Sequence, residues 1–336
     1  MLQKIDLLNF ELENQVRCAH LALYYQVFGQ PLGTAKVVVV NHALTGNSQV
    51  AGPQGWWNSL VGTNKTIDTN EFTIIAFNIP GNGFDGVEQN LISNYKDFTI
   101  RDIAKIFWRG LNVLDVDHVF AIIGGSLGGA TAWEMTLLAP AKVEHLIPIA
   151  SDWKATDWVV ANVLIQDQIL NNSTNPIVDA RLHAMLLYRT PQSINQRFVG
   201  KKVNETGQYE VEKWLSNHGV KLKNRFELQA YKLMNHLLRT NDITRGRTDF
   251  VTLTKNLETK IHIVAVDSDL FFTADENLQT YQDLKSSKNT VFYNEIKSIH
   301  GHDAFLIEFE QLNEILFPIF SQLSQKLEKK DRKSVV

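Results

Sequence analysis

Short, nearly uninterrupted apolar runs recur along the chain at residues 37–40, 72–78, 118–123, 145–150, 261–266 and 290–295. Strands without polar alternation belong to a sheet covered on both faces, since neither side of such a strand meets water. Helix-compatible segments lie between them. The alternation predicts a doubly wound, mostly parallel α/β sheet. Between residues 153 and 245 strand signals stop, and apolar positions at helical spacing take over at 158–170, 179–188, 211–218 and 226–238. The pattern predicts a core built from residues 1–152 and 246–336, with a helical lid, 153–245, inserted after a sheet strand. Open α/β sheets bind ligands at the C-terminal ends of their strands, so a lid in this place would roof that edge. The charged stretch 326–336 reads as a frayed, solvated end.

Composition narrows the partners more than the fold. A hydrophobic content of 44% over 336 residues suffices for one large core. The formal charge of -3, from 33 basic and 36 acidic residues, supplies no field that would draw the chain to nucleic acid or an anionic membrane. Small-molecule partners are expected instead. No apolar run approaches the roughly 20 residues of a membrane span. The first residues mix Lys4, Asp6, Glu11 and Glu13 into their apolar positions, unlike a signal peptide, which predicts a cytoplasmic protein. The single cysteine, Cys18, excludes an internal disulfide and reads as ordinary packing. No metal and no bound cofactor are expected.

The run at 118–123 leads directly into Gly124-Gly125-Ser126-Leu127-Gly128-Gly129, and a helix-compatible stretch follows. Strand, tight turn, helix around G-x-S-x-G is the pattern of a nucleophile elbow, in which the turn projects the serine hydroxyl. A serine hydroxyl is a poor nucleophile near neutral pH. It needs an imidazole base and a carboxylate that orients the imidazole, here arriving later in the chain in the order acid, then histidine. After the run at 261–266 comes Asp267-Ser268-Asp269, and after the last run comes His300-Gly301-His302-Asp303. Each choice is two-fold. Asp269 is favoured, one step further from the strand end, with Asp267 left to satisfy loop amides. His302 is favoured because Gly301 permits a tight loop and Asp303 could cap a helix starting at Ala304; His300 is then a loop residue.

Charge developing on a carbonyl oxygen also needs preorganised N–H donors. The amide of Leu127 is one candidate. The second is the amide of Leu44, in the loop Asn41-His42-Ala43-Leu44-Thr45-Gly46 after the first apolar run, with His42 expected to shape that loop rather than act as a base.

Taken together, several stretches resemble the homoserine O-acetyltransferase family of the α/β-hydrolase type. They are His42-Ala43-Leu44-Thr45-Gly46, Gly55-Trp56-Trp57, Leu60-Val61-Gly62, Ile67-Asp68-Thr69, Thr99-Ile100-Arg101-Asp102, the elbow, Tyr188-Arg189, Trp214-Leu215, Arg225-Phe226, Tyr231, Asp242, Ser268-Asp269 and Gly301-His302-Asp303-Ala304-Phe305-Leu306. Apart from the elbow none is specific by itself; their number and order carry the resemblance. It implies a ping-pong transfer in which Ser126 takes an acetyl group from acetyl-CoA and passes it to the hydroxyl of L-homoserine in methionine biosynthesis. It also implies Asp269 as the acid, His302 as the base, and Arg181 and Asp303 around the amino-acid substrate; Tyr188, seven positions from Arg181 in a helical segment, shares its face and is expected to line the same site. Family members are commonly dimers joined through lid helices, for which Trp158, Val159 and Trp214 are candidates. The chain departs from the family pattern at residues 79–86, at 171–176 and at Leu127. These departures leave the donor open between acetyl- and succinyl-CoA. The residues alone also admit a serine esterase or thioesterase and, from another class, a non-catalytic binding module on the same fold.

Overall fold

The structure is a computed structural model in which residues 1–203, 207–288 and 290–321 are described; the charged stretch at 326–336 lies outside the described residues. Strands β1 (Gln3–Glu11), β2 (Arg17–Gly29), β3 (Lys36–Asn41), β4 (Val61–Gly62), β5 (Ile67–Asp68), β6 (Phe72–Phe77), β7 (Val119–Gly125), β8 (Val143–Ile149), β9 (Lys260–Val266) and β10 (Val291–Ile296) form an eight-stranded sheet in the order β1-β2-β6-β3-β7-β8-β9-β10, plus the small β4–β5 pair. From β6 to β10 all pairing is parallel, and β1 and β2 are antiparallel. Every residue of β6 and β7 is buried, as their uninterrupted apolar runs require.

The helices are α1 (Ile100–Val113), α2 (Leu127–Leu138), α3 (Asp157–Asn172), α4 (Pro176–Tyr188), α5 (Pro191–Phe198), α6 (Glu210–Lys223), α7 (Leu228–Arg239), α8 (Phe250–Thr254), α9 (Ala274–Lys285) and α10 (Phe309–Phe320). One sheet face, through Val39, Ile122 and Ile263, packs with Phe107 of α1 and Trp133 of α2. The other, through Val38, Ile123 and Val264, packs with Leu312, Leu316 and Phe320 of α10.

The register sets the site. Asn41 pairs with Gly124, Gly125 with Ile149, and Val266 with Ile296, so β3, β7, β8, β9 and β10 end at one edge of the sheet. Helices α3 to α7 lie between β8 and β9 in the chain. The sequence pattern did not show α5. Nor did it show β1 and β2, where charged residues interrupt the apolar positions; in β1 only Ile5 and Leu7 are buried, because the strand ends the sheet. Val159, a sequence candidate for a dimer contact, is fully buried in the hydrophobic core, so it is unavailable to a partner. Trp158 is exposed, and Trp214 contacts Phe198 and His218.

The return from the helices to the sheet is fixed by buried charge. Glu134 on α2, with no exposed side-chain surface, accepts from Arg101 Nε on α1 at 2.5 Å and pairs with Arg247 at 2.7 Å. Arg101 also meets Glu13 of the β1–β2 turn at 2.9 Å, and Glu13 meets Arg245 at 2.6 Å. The Thr99-Ile100-Arg101-Asp102 stretch is therefore a capping box that starts α1 and presents Arg101 to this network. Removing one member of a buried pair strands the other's charge. Glu134→Ala is expected to destabilise the protein by about 3–5 kcal/mol, read as a lowered urea midpoint.

Candidate active site

Ser126 sits between β7 and α2 with φ 56° and ψ -123°, a strained backbone for a residue with a side chain. The two glycines of the motif make the turn possible by close backbone approach. A Cβ on Gly124 would lie 2.4 Å from the Gly128 carbonyl carbon, and one on Gly128 would lie 2.4 Å from the Asn41 oxygen. The turn is held by the Ser126 amide donating to Ile149 O at 2.9 Å. Immediately before the serine, Gly125 faces the Phe305 ring, which a Cβ would meet at 2.5 Å. Phe305 belongs to the short helical turn Gly301–Leu306, so the histidine-bearing segment lies against the elbow.

Of the two acids and two histidines offered by the sequence, the structure pairs Asp269 with His302. Asp269 Oδ2 is 2.7 Å from His302 Nδ1, and both residues are buried, at 4% and 3% exposure. The other carboxylate oxygen accepts from the amides of Phe271 at 2.7 Å and Phe272 at 3.1 Å, which fixes the acid's orientation. The imidazole lies among Tyr188, Phe271, Phe272 and Phe305, with ring centroids 5.3 to 5.8 Å away. With Nδ1 committed to Asp269, Nε2 is the nitrogen left for proton transfer. Asp267 instead accepts from the Ser298 amide at 3.0 Å, and His300 Nδ1 contacts Ser193 Oγ at 2.8 Å, so both are loop residues. Sequence reasoning missed the part played by Ser268. Its hydroxyl donates to Ser298 O and accepts from the Gly301 amide at 3.1 Å, tying the acid loop to the histidine loop. Gly301 has φ +67°, a left-handed conformation that suits glycine in the tight loop expected there.

The loop after β3 presses on the start of α2, where Asn41 Nδ2 donates to Gly128 O at 3.3 Å. The buried amides of Leu44 and Leu127 have no hydrogen-bond acceptor among the described residues. His42 shapes this loop: Nδ1 bonds its neighbour's carbonyl, Ala43 O, at 2.8 Å, and Nε2 accepts from the Ile79 amide at 3.0 Å. An accepting Nε2 means a neutral ring, and burial holds the His42 pKa down at about 4.

Residues 36–296 match the family model described as alpha/beta hydrolase fold. A homoserine O-acetyltransferase from Cyclobacterium marinum is 33% identical, over 83% of this chain and 83% of its own. The crystal structure of a homoserine O-acetyltransferase from Staphylococcus aureus superposes with TM-score 0.80 at 27% identity, covering 94% of each chain. The chain belongs to the homoserine O-acetyltransferase family of α/β hydrolases. It is accordingly an O-acyltransferase. The fold itself is shared more widely: esterase E22 superposes with TM-score 0.83 at 15% identity, covering 95% of this chain and all of its own.

Around this family centre the inserted helices supply further side chains. Tyr188 at the end of α4 stands 5.3 Å from the His302 ring, and desolvation pushes its hydroxyl up to about 12, with Arg181 opposing and the Asp303 and Asp269 charges reinforcing. Arg181, two helical turns earlier, lies over the Tyr188 ring at 5.5 Å. Asp303 corrects a sequence expectation. It does not cap a helix at Ala304, because the helical turn already begins at Gly301, and its Oδ2 instead accepts from Arg189 Nε at 2.9 Å. A narrow cavity beside the site is lined by Leu44, Asn162, Gln166, Tyr188, Tyr231 and Phe271.

Gly128→Ala is expected to push the loop after β3 away from the elbow. The measurable results are an acyl-transfer rate at least about 100-fold lower and a stability loss of about 1–3 kcal/mol from overpacking. His42 gives a pH signature. Its folded-state pKa of about 4 lies below the ordinary 6.5, so its stabilising contribution is complete above pH 6.5 and is lost as pH falls through 4. Urea midpoints taken between about pH 7 and pH 4.5 should fall, and in His42→Gln the slope should be shallower by roughly one proton.

Proposed function

We propose that the protein transfers an acetyl group from acetyl-CoA to the side-chain hydroxyl of L-homoserine, a step of methionine biosynthesis, by a ping-pong mechanism. Ser126 Oγ attacks the thioester carbonyl carbon while His302 Nε2 takes its proton and Asp269 stabilises the imidazolium. The carbonyl oxygen, now an oxyanion, is met by the amides of Leu44 and Leu127, each worth roughly 3 kcal/mol in the transition state. Collapse breaks the carbon–sulfur bond, and the CoA thiolate leaves with the proton from His302. In the second half the homoserine hydroxyl attacks acetyl-Ser126, His302 takes that proton, and Ser126 Oγ leaves and is reprotonated.

The acceptor's α-carboxylate is assigned to Arg181, whose planar fork suits two-point binding. Its α-ammonium is assigned to Asp303, beside His302. Asp303 is already neutralised by Arg189 at 2.9 Å, so the ammonium joins an existing ion pair rather than a bare acid.

The observation that carries transfer over hydrolysis is enclosure. Ser126, Asp269 and His302 are 5%, 4% and 3% exposed, and the histidine is walled by Tyr188 from the inserted helices. An acyl-enzyme kept from bulk water survives until the hydroxyl acceptor arrives.

The test is CoA release from acetyl-CoA and, separately, succinyl-CoA, with and without L-homoserine, with mass analysis of the products. Expected is homoserine-dependent CoA release with accumulation of O-acetylhomoserine. Equal release without homoserine, giving only free acid, would make the protein a hydrolase, and faster turnover of succinyl-CoA would change the donor. In Ser126→Ala no acyl-enzyme should form. Asp269→Asn, which favours the wrong tautomer of His302, should lower kcat about a thousandfold or more while the folded structure persists.

A further inference from the structure

Two guanidinium groups at the edge of this site have no carboxylate partner among the described residues. Arg181 lies over Tyr188 at 5.5 Å, and Tyr188 touches the His302 ring. Arg225, in the turn between α6 and α7, reaches the loop after β3 and donates from Nη1 to Thr45 O at 2.9 Å, next to Leu44. Neither arginine belongs to an ion pair among the described residues, whereas nearby Arg189 is matched by Asp303. A guanidinium has five N–H donors, and the Thr45 carbonyl occupies one of those on Arg225.

The two charges also feel each other. Desolvation, then the charge of Arg181, lowers the pKa of Arg225. His218 is held down at about 4 by burial, with Arg181, Lys221 and Arg189 adding to the effect and Asp303 opposing it. The local balance is positive, with Asp303 the single acid among these influences and already engaged by Arg189. Like charges near enough to influence each other repel, and an anion bound by both removes that cost.

We infer that Arg225 is the second arm of an anion seat whose first arm is Arg181, and that the seated group is an oxyanion carried by a substrate. This rests on the acyl-transfer reading above. Two groups share the chemistry: the α-carboxylate of an amino-acid acceptor and a phosphate of the thioester donor. The bond to Thr45 sets Arg225 beside the proposed oxyanion donor, so the seat and the reacting carbonyl are positioned by the same loop. Arg225 comes from the inserted helices and Thr45 from the sheet edge, 180 positions apart in the chain, so the seat exists only when the helices are docked.

Arg225→Met and Arg225→Lys are compared with the unaltered protein in two substrate pairs. One is L-homoserine against L-homoserinol, which lacks the carboxylate. The other is acetyl-CoA against S-acetyl-N-acetylcysteamine, which lacks the phosphates. If the carboxylate is seated, Arg225→Met lowers the homoserine-to-homoserinol ratio of kcat/KM about 30-fold, the size of one charge-assisted hydrogen bond, and Arg225→Lys restores part of it. If a phosphate is seated, the donor ratio falls instead. Changes below about threefold in both ratios overturn the proposal. Should the unaltered protein not acylate homoserine at all, the acyl-transfer reading fails separately. The seat is then tested by inhibition of p-nitrophenyl acetate turnover with L-2-aminobutyrate and inorganic phosphate. Inhibition weakened about tenfold in Arg225→Met supports the seat, and unchanged inhibition by both anions overturns it.

Discussion

The positive φ of Ser126 is the constraint on which the site depends. A residue with a side chain holds that conformation only where its surroundings leave no alternative. Here the surroundings are backbone: Gly124 against Gly128, and Gly128 against the end of β3. The contact that permits the strained turn is also the contact that sets the loop carrying Leu44 against the start of α2. Nucleophile and proposed oxyanion donors are thus placed by one packing event between β3, β7 and α2, and no side chain has to be ordered separately to join them. Preorganisation of this kind matters because fixed donors need not reorient as charge develops.

The proposed acid and base, Asp269 and His302, arrive by another route, on loops after β9 and β10 whose lengths the sheet does not dictate. They are held by short-range bonds within and between the loops: the Phe271 and Phe272 amides on Asp269 within one, and Ser268 on the Gly301 amide between the two. Packing then finishes the placement, with four aromatic rings around the imidazole of His302. The inserted helices contribute one of those rings, Tyr188, so enclosure of the base and docking of the helices cannot be separated. The Arg101–Glu134–Arg247 cluster lies where the chain leaves those helices, and it ties that point to α1 and α2.

The central strands were legible in the sequence because total burial leaves a local trace, an unbroken apolar run. The elbow was legible because close backbone contact demands glycine at fixed positions. β1 and β2 were not, since a strand near a sheet end keeps water on part of its surface and its charged residues break the periodicity. Asp303 shows a different failure. An acid at the start of a helical turn looks like a cap, and only the fold reveals that Arg189, 114 positions away, takes its carboxylate. Val159 and Trp158 are adjacent and similarly apolar, yet one is buried and the other exposed; the direction of α3 decides, and no local pattern encodes it.

Non-local charge placement also bears on how an O-acyltransferase avoids becoming an esterase, given that the fold is shared with esterases. A Ser-His-Asp triad of the proposed kind is equally competent toward water and toward an amino-acid hydroxyl, so discrimination has to arise around it. An apolar wall alone would exclude water but would not select an acceptor. On the proposed reading, paired and unpaired charges together do both: Asp303 is matched by Arg189, while Arg181 and Arg225, outside any ion pair among the described residues, are left for the anionic group of a substrate. A zwitterion bearing a carboxylate and an ammonium satisfies both demands at once, whereas water satisfies neither. Selectivity for the proposed acceptor then rests on Arg181 and Arg225, which the chain carries between β8 and β9, and not on Ser126, Asp269 and His302.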